Sequence, residues 1–460
     1  MHLKTGIIPE RQHLIGTQDQ LDYKAICIFA ATGFFLDDDT YYVGQKVLHP
    51  ATNYELSEDG TTVLHQQKYF EWQYNPKERS LSQVVEEFAH LFETIVEEQT
   101  RNKKVILPLS GGLDSRTQAA ALHHLKREVN SYSYSLEDGH PEILYSKQIA
   151  QVCQYPFQEM TIPRGYLWKN LENIARINQC YTEFTHPRQA AVLEEIATMG
   201  DVLHLGHWGD VLFDGVKVAE DLPFEQQVEV VFQKILKKRG VDLAEALWKQ
   251  WGLEGNFVDY LKSRISFLLQ SIDIPHSANA LIRAFKSQYW APRWTSVNLS
   301  FFDSVRPMAL PYYDQSMCDF ICSVPERHLH GRQVQIEYLK MRNPELAKIT
   351  WQDHRPFHLF NYHLNRFPYN VPFRVYQKIK NEVFTHRLIR NNYENQFLGA
   401  TNDQQLRNWL FHHNEFRSLL DEAVVRQFYD PFVQGAHLAN SHAVSTLLTL
   451  SLFSSLDSKD

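Results

Sequence analysis

The stretch Val105-Ile-Leu-Pro-Leu-Ser-Gly-Gly-Leu-Asp-Ser-Arg116 leaves this chain few architectures to choose from. An apolar run of strand character ends at Ser110, and the chain then turns through Gly111 and Gly112. Thr117-Gln-Ala-Ala-Ala-Leu122 continues as strong helix former without Gly or Pro. Strand, glycine turn and helix in that order build an anion site. The helix start offers unpaired N–H groups and a partial positive charge, and glycines let backbone approach phosphate oxygens. Ser110 and Ser115 add hydroxyl donors. Asp114 would repel a phosphate unless a divalent cation lay between them, so the motif reads as a site for magnesium-nucleotide rather than for a free anion. The competing reading is a capped turn without a ligand. No lysine follows the second glycine, so this is not the Gly-x-x-x-x-Gly-Lys-Ser/Thr phosphate loop.

The flanking pattern extends that unit into a sheet. Strands are expected over 105–109, 131–135, 157–162 and 202–205, and helices over 116–126, 141–153, 166–178 and 188–199. Such alternation implies a parallel sheet covered by helices, with ligands outside the carboxyl ends of the strands. Upstream, residues 22–72 read as strands and turns, with 23–30 β-prone and a turn at Asp59-Gly60. An amphipathic helix is expected over 80–99. After Asp221 the pattern is helical, over 223–238, 242–251, 257–270 and from Asp403 onward, with a loop-rich segment over 351–372. The expected division is a β-rich piece over 1–78 and a large domain over 79–460, its α/β core about 100–220 and its helical half about 221–460.

At 460 residues the chain exceeds one typical core. A formal charge of −8 without any Lys/Arg run speaks against a nucleic-acid binder that works by charge. No eighteen apolar residues run together and the amino terminus lacks the apolar core of a leader, so neither a membrane span nor a signal peptide is expected. The 5 cysteines show no paired framework, and a reducing cytoplasm is the expected compartment.

Within these bounds the loop resembles the Ser-Gly-Gly-x-Asp-Ser pyrophosphate loop of the ATP pyrophosphatases, and most closely that of the synthetase domain of class B asparagine synthetases. Further segments follow in family order. The stretch 44–56 with Lys68-Tyr-Phe70 is similar to the last strands of the glutaminase domain. Leu205-Gly-His-Trp-Gly-Asp-Val-Leu-Phe-Asp-Gly215 resembles the Ser-Gly-Glu-Gly-x-Asp-Glu loop, and Pro311-Tyr-Tyr-Asp314 resembles Pro-Phe-Leu-Asp. Gln352-Asp-His-Arg-Pro-Phe357 sits where Arg-x-Lys-x-Gly-Phe is expected. The resemblance implies the adenine nucleotide α-hydrolase-like sheet of this class, a helical carboxyl-terminal half and a small β-rich remnant of a glutaminase domain. It also implies ATP and Mg2+ as cofactors, adenylation of a carboxylate with release of pyrophosphate, and attack by an amine. Carried over by position, Ser110, Gly111, Gly112 and Ser115 would hold pyrophosphate, Asp114 and Asp210 the metal, and Leu109 and Gly206 the nucleoside.

The departures concern acyl transfer. His207 stands in place of the second loop's glutamate, and His354, beside Arg355, in place of the later lysine. Imidazole and guanidinium could take over those roles, so His207, His354 and Arg355 are the catalytic candidates. The Glu-x-Arg positions hold Pro307 and Ala309. Arg116, at the helix start, could reach a phosphate, or an acidic substrate, or solvent. His186 and Arg188 precede a helix on the substrate side and are the candidate substrate contacts. Position 2 is His2 rather than a nucleophilic cysteine, so no glutamine hydrolysis is expected. The expected function is an ATP-dependent amide-forming ligase. It would act on a small carboxylic acid or peptide, and take ammonia or an amine from solution, a partner protein or the substrate itself. The rivals are another adenylating ATP pyrophosphatase and a catalytically silent ATP-binding or assembly protein.

Overall fold

A computed structural model describes residues 1–139, 143–383 and 391–457. Its centre is a five-stranded parallel sheet made of β1 (Val105–Pro108), β2 (Val129–Leu136), β3 (Phe157–Ile162), β4 (Val202–His204) and β5 (Met308–Ala309), in the order β5-β4-β1-β2-β3. Val105, Ile106 and Leu107 are fully buried, as a strand covered on both faces must be. Four of these strands lie where the apolar runs of the sequence put them. The fifth, with two residues, is too short to leave a pattern. It exists because Pro307 and Ala309 carbonyls accept from Leu203 and Leu205 N–H groups at 2.9 and 3.0 Å. Strand order reverses at β1, so the crevice above its carboxyl end is the position that α/β sheets use for ligands.

The helices Leu113–His124, Ile143–Cys153 and Tyr166–Asn178 follow their strands as expected, although positions 141 and 142 of the second lie outside the described residues. The expected helix over 188–199 is a 3-10 turn, Arg188–Val192, followed by a short α-helix, Leu193–Ala197. Ser80 starts the helix Leu81–Thr100 with a capping box shared with Gln83. Among the described residues from Phe224 onward the chain is mostly helical, broken by β5 and by a stretch of turns and short 3-10 segments over 349–370 where the loop-rich segment is expected.

One expectation fails outright. Residues 23–30 are not a strand but part of an α-helix, Tyr23–Thr32, started by Asp22 (whose carboxylate accepts from Ala25 N–H at 3.0 Å) and ended by Gly33 in the left-handed region. All of Ala25–Thr32 is buried, and a run apolar on every side has no period with which to tell strand from helix. The caps carried the information. This helix packs so closely on Gly240–Gln250 that a β-carbon on Gly240 would lie 2.2 Å from the Ala31 carbonyl oxygen. The β-rich expectation holds for the neighbouring residues. His2–Lys4, Thr52–Leu56 and Val63–Lys68 form an antiparallel sheet whose hairpin turns at Gly60 (φ +73°), and Leu14–Gly16 pairs with Gln45–Val47. Leu48, Tyr54 and Leu56 make a small core of their own. Phe34 instead stacks on Trp290 and Tyr41 on Phe453, so much of 1–78 shares the core of the larger part.

Candidate active site

The loop after β1 is held by its own side chains. Ser110 N–H donates to Ser115 Oγ at 3.1 Å, Gly112 N–H to Ser110 Oγ at 3.3 Å, and the two hydroxyls meet at 3.1 Å. Gly112 is the N-cap of Leu113–His124 and has no side chain to satisfy the first-turn N–H groups, which leaves them for a ligand. Gly111 is glycine for a different reason. A β-carbon there would lie 2.4 Å from Gln352 Oε1, because the segment 351–354 folds down onto the loop and Gln352 N–H donates to the Gly111 carbonyl at 3.2 Å.

The second loop, from the end of β4, arrives against the first. A β-carbon on Gly206 would meet Asp114 Cβ at 2.9 Å, and one on Gly209 would meet Asp114 Oδ1 at 2.4 Å and Tyr312 Cε2 at 2.6 Å. Glycine at both positions is what lets two loops almost a hundred residues apart touch. Behind them Tyr312, from the Pro311-Tyr-Tyr-Asp314 stretch, accepts from Gln335 Nε2 at 2.9 Å, and the same amide donates to Asp114 Oδ1 at 3.2 Å. Arg332 forms an ion pair with that same oxygen. Both protein partners thus fall on Oδ1.

Two cavities open from this junction. The first, about 490 Å³, is walled by Leu109, Ser115, Tyr134, Gly206, His207, Trp208, Trp290 and Trp294 among others. The second, about 700 Å³, is walled by Gly112, Lys217, Lys234, Arg283, His330, Arg332 and His354 among others. Ser110, Asp114, Asp210, Val211 and Lys286 line both. The first cavity is therefore mainly aromatic, the second is polar with five Lys and Arg side chains against four Asp, and Asp114 and Asp210 stand at the waist between them.

Burial is the largest influence on Asp114 and raises its carboxyl pKa. The Arg332 guanidinium opposes that rise, the Asp210 charge adds to it, and the net direction is up. Crowding by protein pushes the His207 imidazole down to about 4, partly countered by Asp210. Its ring stays open to the cavity, so water tempers that shift, and the group is neutral across the physiological range. Magnesium characteristically keeps waters and takes one or two carboxylates together with phosphate oxygens. Asp210 and the free edge of Asp114 match that donor set. Among the described residues no group of three or more His, Cys, Asp or Glu gathers into a metal site. A cation held here would need phosphate oxygens to complete its shell.

Over most of the motif the structure brings the expected residues together. Leu109, Ser110, Gly112, Asp114, Ser115, Gly206, His207, Asp210 and His354 all line one or both cavities. Arg116 does not. Its guanidinium is buried and donates to the carbonyls of Leu346, Ile349, Gly111 and Thr350 at 2.9–3.3 Å, so it clamps the loop to the carboxyl-terminal half instead of reaching a phosphate. Arg355 is exposed, donates to the Gln352 carbonyl at 3.0 Å, and lines neither cavity. His354 lies flat on Trp351 at 4.0 Å, with burial lowering its pKa. His186 and Arg188 stand one layer back. His186 is 2.9 Å from Glu183 and edge-on to Trp294, and Arg188 lies 5.9 Å from the Tyr134 ring. Both support cavity walls rather than forming them.

A family model for asparagine synthase matches residues 87–332, more than half of the chain. The chain belongs to the asparagine synthase family. No curated protein matches it. As a member of the asparagine synthase family it is related to ATP-dependent ligases that make amide C–N bonds. The matched span contains both loops, Pro311-Tyr-Tyr-Asp314 and Arg332, and stops before His354 and Arg355. Sequence reasoning missed Arg332 and Lys286. Lys286, Trp290 and Trp294 are spaced by four along a π-helical stretch, Lys286–Thr295, whose wide turn presents them on one face. π-Helical turns cluster at functional sites, but nothing in the sequence announces one.

Proposed function

We propose that this protein is an ATP-dependent ligase that adenylates a substrate carboxylate and releases pyrophosphate. Ammonia or another amine then attacks the acyl carbon and expels AMP. The observation that carries the reading is the meeting of Asp114 and Asp210 at the waist between an aromatic and a polar cavity, beside the Ser110–Ser115 turn. In this reading the nucleoside and the acyl group occupy the aromatic cavity, and the pyrophosphate occupies the polar one. Asp114 and Asp210 would hold magnesium, which neutralises charge on the leaving pyrophosphate. The Gly112 helix start and the two serines would donate to phosphate oxygens. His207, neutral at physiological pH, would take a proton from the attacking amine.

Residues 1–78 are proposed as a remnant of a glutaminase domain without hydrolytic function. Cys27, the cysteine that precedes Ser80, is buried in a helix with its thiol pKa pushed well up, which suits packing and not nucleophilic attack. The amine would therefore come from solution, from a separate donor protein or from the substrate, a small carboxylic acid or peptide. All 5 cysteines are free and buried, in keeping with a cytoplasmic setting. Among the described residues no helix is long and apolar enough to cross a membrane.

One observation favours a second reading, a silent ATP-binding protein. The His354 and Arg355 segment offers a stacked imidazole and an outward guanidinium where a lysine is expected. Pyrophosphate release across a panel of amino and other carboxylic acids separates the two. Acid-dependent release that is lost in Asp114→Asn and Asp210→Asn supports the ligase. Nucleotide binding without release of pyrophosphate on any acid supports the silent protein.

A further inference from the structure

Of the five residues shared by the two cavities, Lys286 is the cation. The other positive groups of the pyrophosphate-side cavity are largely committed. Arg283 makes a bidentate pair with Glu326 at 2.6 Å, Arg332 pairs with Asp114, and Lys217 lies 3.6 Å from Asp214. Lys234 faces that cavity and not the aromatic one. Among the described residues no carboxylate lies within ion-pair distance of Lys286. Its ammonium is instead held 5.8 Å from the Trp208 ring and 5.4 Å from the Trp290 ring. Trp208 is itself fixed by donation from Nε1 to Ser287 Oγ at 3.0 Å, which is one residue along the same π-helical stretch.

A half-buried ammonium beside two indole faces, without a carboxylate of its own, has its desolvation only partly compensated by protein. An anion at the waist would supply the missing counter-charge. A nucleotide with its base end in the aromatic cavity and its terminal phosphates in the polar one must cross the waist with the bond between its α- and β-phosphates. We propose that Lys286 contacts the α,β-bridge of the bound triphosphate and neutralises the charge that develops there as pyrophosphate leaves, the task for which the later segment offers only His354 and Arg355. The proposal rests on the adenylation reading given above. It assigns the leaving-group cation to a π-helix more than 60 residues upstream of the segment where the sequence pattern would look for it. Burial, only partly offset by Asp210, brings the amine down to about 8, which agrees with a group kept partly desolvated for contact with a ligand.

The test uses Lys286→Met and Lys286→Arg in the full chain, with magnesium pyrophosphate, MgATP and AMP as calorimetric probes and pyrophosphate release as the kinetic readout. Lys286→Met is expected to weaken magnesium pyrophosphate and MgATP by about ten- to hundredfold, the size of one charge-assisted contact, and AMP by less than threefold. Its kcat for pyrophosphate release falls further than its affinity for the acid, and Lys286→Arg recovers part of both losses. If Lys286→Met fails to fold, Lys286→Ala with added ethylammonium supplies the same comparison, with partial rescue expected. Lys286→Met protein that binds MgATP and magnesium pyrophosphate as tightly as the wild type overturns the role of Lys286 and leaves the ligase reading intact. Wild-type protein that binds neither probe overturns the ligase reading and this inference with it.

Discussion

Replacing Arg116 with methionine separates the two things a guanidinium can do at a phosphate-loop helix. In the structure it makes four hydrogen bonds to main-chain carbonyls, two of them to Gly111 and Thr350, on either side of the contact between the loop and the carboxyl-terminal half. Hydrogen bonds to a charged group contribute about 1.5–3 kcal/mol each before costs. The guanidinium is buried without a carboxylate, and burial lowers its pKa to about 10, so several kcal/mol of desolvation offset the sum. Methionine fills much of the volume but leaves the carbonyls unsatisfied, and a net loss of about 3 kcal/mol is expected. For a chain of 460 residues the unfolding entropy is about 1 kcal/mol per degree, so the ligand-free Tm should fall by about 3 °C. Differential scanning calorimetry with and without MgATP measures both quantities. A clamp predicts a lower Tm without ligand and only a secondary loss of MgATP affinity. An unchanged Tm together with lost affinity would refute the clamp and return Arg116 to the phosphate.

Three other outcomes follow from the geometry. Gly209→Ala puts a β-carbon 2.4 Å from Asp114 Oδ1 and 2.6 Å from the Tyr312 ring, so the loops must part by about 1 Å. The expected result is about a hundredfold loss of pyrophosphate release with a modest change in Tm, and activity near wild type would show that the loops need not touch. His204 and His442 are buried with pKa values lowered to about 3 and about 4, so both are neutral when folded and would protonate when unfolded below 6.5. The unfolded chain binds more protons in that window. Stability is therefore complete above pH 6.5 and declines as pH falls toward 4, by about 2 kcal/mol per histidine at pH 5. Urea midpoints from pH 7 to 5 should fall in the wild type and fall less in His204→Leu. Arg332→Met removes the cation on Asp114 Oδ1, and an increased requirement for magnesium in MgATP binding is expected. Identical magnesium titrations would show that Arg332 does not share that carboxylate with a metal.

The Ser110–Ser115 turn and its sheet could be read from the chain because both depend on local chemistry, whereas Asp210 entered through the likeness of Leu205–Gly215 to a family loop. β-Prone runs end in glycine, and strong helix formers follow. The helix Tyr23–Thr32 was misread because an apolar run buried on every side carries no period, while its caps at Asp22 and Gly33 did carry the answer. Arg116 directly follows the loop, Arg355 lies in the segment that resembles Arg-x-Lys, and His186 and Arg188 precede a helix, and none of these positions fixes where the side chain turns. Arg116, His186 and Arg188 turn toward protein, and Arg355 turns outward with a bond only to the nearby Gln352 carbonyl.

What the linear order of residues specified, then, was a parallel sheet with a phosphate-type turn and the identity of its acidic pair. What it left open was which cations and rings would close around that turn. Lys286, Trp290 and Arg332 reach the two cavities through a π-helical winding and the packing of a helix more than two hundred residues from the loop, in a geometry fixed by long-range contacts. Side chains brought together by such contacts have no spacing in sequence to betray them, so the polar and aromatic halves of the site came into view only with the folded chain.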